Sequence, residues 1–323
     1  MPSPIRLPPM PLFAAPLLAV ALLGLAACGS GPPGVDGTAQ SCALDRQASF
    51  PVESRVNLLF VSVLIDGKPA RLVLDTGADR SMVTETAATR LKLDRDPHRI
   101  SRLEGVGGGT TNWEAKTDTI VFGTGKVRNF DLTVGRFAQD TIDGVTVDGL
   151  LGVDILSAFD VEIDSAQGQV TLYRARPCAD VLPPWSDRFV TVSSTGPLRG
   201  RILVPITLDG VNDLAVLDTG AQISSVSERL ALSTGLTQQE LDRDPQGRSN
   251  GASANAVITR AHRFRSLQIG DILISSPVMA VLQLPPSRAG ALLGANYLRG
   301  RRLWLSFASR RFFLAEASRT AQP

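Results

Sequence analysis

Short runs of apolar residues, many alternating with polar ones, recur along most of the chain. NLLFVSVLID, RLVLDT, DTIVFG, FDLTVG, FDVEID and QVTLYR fall before residue 175, and RILVPITLD, LAVLDT, SLQIGDILI, VMAVLQ, RLWLSF and RFFLAE after residue 200. Gly, Asp and Asn punctuate them at intervals of about ten residues, the spacing of antiparallel strands joined by tight turns. An Asp-Gly pair tolerates the positive φ of a two-residue hairpin, so Asp66-Gly67 and Asp209-Gly210 read as such turns. Helices are expected only as short pieces at 84–93, 153–159, 227–235 and 295–300. The pattern predicts an all-β chain.

The runs also repeat. VSVLIDGKPARLVLDTG (61–77) matches VPITLDGVNDLAVLDTG (204–220), which sets Asp75 and Asp218 143 residues apart. Further on, GLLGVDILSAFDVEID (149–164) matches ALLGANYLRGRRLWLS (291–306) at an offset of 142. An offset held over so long a stretch means equivalent elements in two duplicated lobes. The first lobe is read as 50–176 and the second as 200–316, with a Pro- and Ser-rich connector at 177–199 and a tail at 317–323.

Composition narrows the function classes. The 323 residues are 43% hydrophobic and 20% charged, enough apolar material for a core. Lys+Arg 33 against Asp+Glu 31 leaves +2 with no basic run, which argues against a nucleic-acid partner. Only His98 and His262 and Cys28, Cys42 and Cys178 are available, too few for a Cys/His zinc site, and both histidines read as surface residues. No metal or cofactor is expected. Aromatics are 5%, with Trp113, Trp185 and Trp304 scattered as packing residues, so a carbohydrate-stacking platform lacks its material.

The repeated Asp-Thr-Gly carries the chemistry. An apolar strand delivers an acid, a hydroxyl and a glycine to a sharp bend, where the glycine permits close backbone approach and the threonine can lock the loop. One such loop is an ordinary turn. Two in twin lobes are different, because a pseudo-twofold axis brings the bends together. Carboxyls that meet cannot both ionise; they share a proton, and the charged partner can activate water while the other hydrogen-bonds a carbonyl.

LDTGA followed downstream by LLG, both occurring twice in the same order, resembles the aspartic proteases. The form is closest to the retropepsin-like branch, as two lobes fused in one chain. The resemblance implies a bilobal fold of two β-barrel-like lobes with the active site between them, and an endopeptidase acting on extended peptide. It implies Asp75 and Asp218 as the catalytic pair, with Thr76, Gly77, Thr219 and Gly220 supporting the loops. Leu151-Gly152 and Leu293-Gly294 would pack behind them. A flap, or else a plain flexible turn, is expected at EGVGGGTTN (104–112), where Gly105, Gly107 and Gly108 would meet substrate; GRSNGASAN (247–255) is the matching stretch of lobe two, and either both act as flaps or only one does. Asp79 and Gln222, two positions after each DTG, are further candidates for substrate contact. Retroviral relatives place Arg after the LLG glycine; here Val153 and Ala295 stand there, which removes an ion pair with Asp79 and is expected to loosen that region. Asp154 and Asn296 follow and are expected to tie local backbone. The competing reading is a catalytically silent peptide-binding module of the same fold.

The first 27 residues read as an export signal: Arg6, an apolar run from Leu12 to Ala27 broken by Pro16, and small residues at its end. Leu25-Ala26-Ala27-Cys28 resembles the lipobox of bacterial lipoproteins, which implies acylation at Cys28 and a membrane-anchored, periplasmic location. Residues 28–49 read as a flexible tether. In an oxidising compartment Cys42 and Cys178 would either pair, closing the first lobe, or remain two thiols. The expected partners are a peptide or protein substrate and a membrane reached through the lipid. With both lobes in one chain, a monomer is expected.

Overall fold

The computed structural model describes residues 44–316 other than 138–139, 175–180, 252–254 and 286. Cys28, Cys42 and Cys178, and with them the acylation and disulfide expectations, lie outside the described residues.

The first lobe runs β1 (Arg46–Arg55), β2 (Leu58–Ile65), β3 (Lys68–Leu74), β4 (Met82–Thr84), α1 (Glu85–Leu91), β5 (Arg95–Gly105), β6 (Gly108–Phe122) and β7 (Gly125–Gly135). It continues with β8 (Thr141–Ile142), β9 (Val145–Thr146), β10 (Gly149–Leu151), α2 (Val153–Leu156), β11 (Phe159–Asp164) and β12 (Gln169–Arg174). The second begins with β13 (Phe189–Ser193), β14 (Pro197–Leu198), β15 (Arg201–Leu208), β16 (Val211–Leu217), β17 (Ser225–Ser227), α3 (Glu228–Ser233) and α4 (Gln238–Arg243). It closes with β18 (Gln246–Asn250), β19 (Ala256–Arg263), β20 (Ser266–Ile269), β21 (Ile272–Ser275), β22 (Val278–Leu282), β23 (Ala291–Leu293), α5 (Ala295–Leu298), β24 (Arg302–Ser306) and β25 (Arg311–Ala315). The fold is all-β and bilobal.

Equivalent strands bury equivalent positions. In β2 and β15 the residues nearer the turn alternate between buried and less buried positions, while residues 58–61 and 202–204 are buried without a break. Strands covered on both faces read as continuous apolar runs. The expected turns form, with positive φ at Asp66 (49°) and Gly67 (77°) and at Asp209 (47°) and Gly210 (88°). Asp66 Oδ1 accepts the Thr119 N–H at 2.7 Å, and Asp209 Oδ1 accepts the Ser266 N–H at 2.7 Å, so each turn also pins the next strand.

The lobes join edge to edge in the strand order β13-β25-β24-β11-β12-β1. β11 meets β24 antiparallel at the pseudo-twofold, pairing Asp160 with Ser306 and Glu162 with Trp304. β1 bends from this sheet into lobe one: Arg46–Pro51 pairs with β12 and Val52–Arg55 with β2. It begins inside the stretch read as tether, and β13 lies inside the stretch read as connector. Most of β1 and all of β13 pair with β12 and β25, partners far away in sequence. Beneath the sheet, buried Glu162 accepts from Tyr173 Oη (2.9 Å) and Trp185 Nε1 (2.7 Å). Burial and the Glu162 charge push the Tyr173 phenol up to about 12.

Helix α4 was not expected. Thr237 accepts from the Glu240 N–H and Glu240 reaches back to the Thr237 N–H, a reciprocal cap that makes a helix of a polar segment. His262 also departs from the surface reading: half-buried, it lies edge-on to Phe264 with Nδ1 2.7 Å from Asp244 Oδ2.

Asp160, only 1% exposed on β11, has no hydrogen-bond partner for Oδ1 among the described residues. Burial pushes its carboxyl up to about 6, against the Ser306 hydrogen bond and the Arg311 charge. The folded state therefore binds this proton more tightly than the unfolded chain, whose ordinary value is 3.8. Its contribution is fully present below about pH 4 and lost as pH rises through 6. Asp160→Asn is expected to stabilise the protein by up to about 3 kcal/mol at pH 8, with no gain below pH 4. Urea unfolding at the two pH values checks this.

Candidate active site

Both DTG loops are held in the same way. β10 lies beside β3 and β4, and β23 beside β16 and β17, so Leu151 and Leu293 offer carbonyls to the Asp75 and Asp218 N–H groups, each at 3.0 Å. Asp75 Oδ1 accepts the N–H groups of Gly77 and Ala78 (2.8 and 2.9 Å); Asp218 Oδ1 accepts those of Gly220 and Ala221 (2.9 and 2.9 Å). Each carboxylate oxygen is thereby fixed by its own loop, and the other carboxyl oxygen is left for the partner.

The loops then interlock. Thr76 Oγ1 accepts the Thr219 N–H at 3.1 Å and donates to the Leu217 carbonyl at 2.7 Å. Thr219 Oγ1 accepts the Thr76 N–H at 3.1 Å and donates to the Leu74 carbonyl at 2.7 Å. Both threonines are buried. Above them, each glycine packs against the opposite acid: a Cβ on Gly77 would lie 2.3 Å from Asp218 Cγ, and one on Gly220 2.2 Å from Asp75 Cγ. No side chain fits there, so glycine is obligatory at both places, and the two carboxyls come within hydrogen-bonding reach of one another.

Burial pushes both carboxyls above the ordinary aspartate value. For Asp75 the Asp218 charge adds to the push, and the Gly77 and Ala78 N–H groups oppose it. For Asp218 the Ala221 and Gly220 N–H groups, the Asp75 hydrogen bond and the Arg201 charge all oppose it. Such a pair keeps a proton at a pH where isolated aspartates have lost theirs.

A second repeated lock braces each loop from behind. Ser81 donates from both N and Oγ to the Asp154 carboxylate (2.8 and 2.6 Å) and accepts the Gly152 N–H. In lobe two, Ser224 makes the same contacts with Asn296 Oδ1 (2.7 and 2.8 Å) and Gly294. The serine of each lobe went unnoticed in the sequence, although Ser81 and Ser224 are identical at equivalent places in the repeat.

The structure alters the expectation for Asp79. Its region is not left without an ion pair: Arg199 Nη1 lies 3.3 Å from Asp79 Oδ2 and Arg201 Nε 3.8 Å from Oδ1. The cations come from the start of lobe two instead of from the residue after LLG. On the other side, the exposed Gln222 offers its carbonyl to Asn57 Nδ2 at 3.2 Å. Arg199 and Arg201 carried no motif, and only their mismatch with Val56 and Leu58 in the repeat marks them.

Gly105, Gly107 and Gly108 stand at the tip between β5 and β6, where Gly105 pairs with Gly108. This tip meets the one between β18 and β19. Asn255 Nδ2 donates to the Gly107 carbonyl at 3.2 Å, and Gly251 packs on Val106 so closely that a Cβ would lie 2.1 Å from its carbonyl oxygen. The hairpins of the two lobes thus touch tip to tip.

The family described as Aspartyl protease matches the chain twice, over residues 61–155 and 204–297, together more than half its length. Each match runs from the strand before a DTG hairpin to the helix behind its loop. The chain belongs to this family. No curated protein sequence matches it.

Proposed function

We propose that the chain is an aspartic endopeptidase that hydrolyses peptide bonds with a water activated between Asp75 and Asp218. The observation that carries this reading is the reciprocal packing of Gly77 and Gly220 against the opposite carboxyls, which makes two acids from distant segments one chemical unit. The charged member takes a proton from water as its oxygen bonds to the carbonyl carbon. The protonated member gives its proton to the carbonyl oxygen; the C–N bond of the resulting diol then breaks as the first acid passes its proton to the nitrogen and a diol hydroxyl returns one to the second. An extended substrate would add as a strand beneath the touching hairpins, with Gly105, Gly107 and Gly108 offering backbone groups. Both halves of the site come from one chain, which supports action as a monomer. The signal-like start and Cys28 support an exported protein anchored by lipid on the periplasmic side of a membrane, with substrates in the cell envelope.

Digestion of an unfolded protein and a peptide library by the purified chain tests the activity. Cleavage within extended segments, blocked by a transition-state inhibitor of aspartic proteases, is expected; intact substrate from pH 3 to 8 would overturn it. Cys28→Ala should abolish incorporation of labelled fatty acid.

The hairpin contact gives a further expectation. Gly251→Ala forces the tips apart, because its Cβ would overlap the Val106 carbonyl. A roughly tenfold or larger loss of kcat/KM on long peptides should follow from the misplaced cover. Steady-state kinetics checks it, with unchanged kcat/KM counting against a substrate-covering role.

A further inference from the structure

The two lobes finish one shared hairpin differently. Phe122 pairs with Gly125 across the turn from β6 to β7, and Ile269 pairs with Ile272 across the turn from β20 to β21. Lys126 and Arg128 of lobe one therefore correspond to Leu273 and Ser275 of lobe two. β21 ends its sheet and pairs only with β20. Hydrogen-bonded and open pairs alternate along an antiparallel hairpin. Ser276 donates to the Arg265 carbonyl at 2.9 Å, so the N–H and C=O groups of Leu273 and Ser275 face away from β20. Natural proteins guard such an edge with charge, lysine above all, because it templates pairing with another chain. Lobe one keeps the guard, with Lys126 and Arg128 both exposed. Lobe two lacks it: Leu273 is 66% exposed on the bare edge.

Beside that edge lies a cavity of about 270 Å³, between the β20–β21 hairpin and α5. Ile269, Ile272, Ile274 and Phe312 line it together with Arg299 and Arg301, and no acid among the described residues does. In lobe one the place of Ile269 belongs to Phe122, which packs on Phe50 with ring centroids 5.5 Å apart. The place of Arg301 belongs to Phe159, which packs against the core. Two rings in one lobe become a smaller side chain and a cation in the other. Arg301 has no carboxylate partner among the described residues, and Arg299 reaches only the Asn57 amide oxygen, 2.9 Å from Nη1.

We propose that the β21 edge and this cavity form a docking site for an extended peptide segment of a partner protein, which places an aromatic residue in the cavity and an acidic residue on Arg301. The segment adds as a further strand, its main chain bonded to Leu273 and Ser275 and alternate side chains turned to the face that carries Ile272 and Ile274. Its ring fills in lobe two what Phe122 fills in lobe one. Residues two apart share a face about 7 Å from one another, so an acid two positions from the ring reaches the arginines. The bare edge favours a peptide over a free fatty acid, which could occupy the cavity and meet Arg301 but leaves the outward N–H and C=O groups unused.

The probe is a labelled, capped hexapeptide of threonine, valine, threonine, phenylalanine, threonine and glutamate in that order. It is titrated by fluorescence anisotropy against the full chain carrying Asp75→Asn, so that it stays uncut. Leu273→Lys and Ile269→Phe, which install the lobe-one residues, should each weaken binding by about tenfold or more. Changing the peptide's glutamate to lysine should weaken binding about tenfold in the parent chain and less than about threefold in Arg301→Gln. Hydrogen exchange at the Leu273 and Ser275 amides should slow when the peptide is bound. Should Ile269→Phe not fold, the exposed Leu273→Lys and Arg301→Gln carry the test. Equal binding in the parent and Leu273→Lys, or exchange at Leu273 and Ser275 unaltered by peptide, overturns the proposal. So does decanoate binding where the peptide does not, or self-association that Leu273→Lys abolishes, since the occupant is then a lipid or a second copy. None of these readouts depends on cleavage, so the docking site and the peptidase reading fail separately.

Discussion

Asp75→Asn and Asp218→Asn are each expected to lose cleavage by about 10³-fold or more and, at neutral pH, to unfold at a higher temperature than the wild type. Both effects have one origin. An amide cannot exchange the proton that the mechanism moves twice, so either substitution stops the reaction. It can still keep its oxygen on the Gly77 and Ala78, or Gly220 and Ala221, N–H groups and turn its NH2 toward the remaining carboxylate. The sign of the stability effect follows from the raised carboxyls. Folding favours their protonated forms, so the stability they contribute is present below the ordinary value of 3.8 and is lost as pH rises through the folded-state values. An amide escapes that loss. Melting curves should show a gain of about 2–4 °C per kcal/mol relieved at pH 7, shrinking to nothing near pH 4. Equal melting of variant and wild type at both pH values would mean that the folded protein does not raise these carboxyls.

Thr76→Val is expected to be the most damaging substitution that touches no charge. It keeps the shape but removes a hydroxyl that satisfies two buried backbone groups, the Thr219 N–H and the Leu217 carbonyl. Leaving each unmet costs about 1–3 kcal/mol, so a loss of about 2–5 kcal/mol is expected in urea unfolding. Thr76→Ser should retain most of it. Because these bonds cross between the lobes, activity should fall with stability. Thr219→Val should behave alike, and the double variant should lose less than the two single losses added, since both remove parts of one network.

Much of this arrangement could be read from the chain because duplication writes a spatial symmetry as a linear one. Asp75 and Asp218 share their flanking residues, so the bilobal fold and the convergence of the two loops followed from the repeat. The reciprocal glycine contacts did not, since they depend on how the loops cross. Two strands were not expected, for a related reason. Arg46–Pro51 and Phe189–Ser193 sit among Pro, Ser and charged residues, and their strand partners are the distant β12 and β25. By contrast, α4 carried a local signal, Thr237 followed by Glu240, that could have found it. Arg201 is the instructive omission: in a repeat, the position where the copies disagree beside the shared motif marks where the halves cease to be equivalent.

The most direct measurement is neutron diffraction from a deuterated crystal grown near the middle of the active pH range. The account predicts a single deuteron between the facing oxygens of Asp75 and Asp218. Two bare carboxylates, or carboxyls turned away from each other, would contradict it.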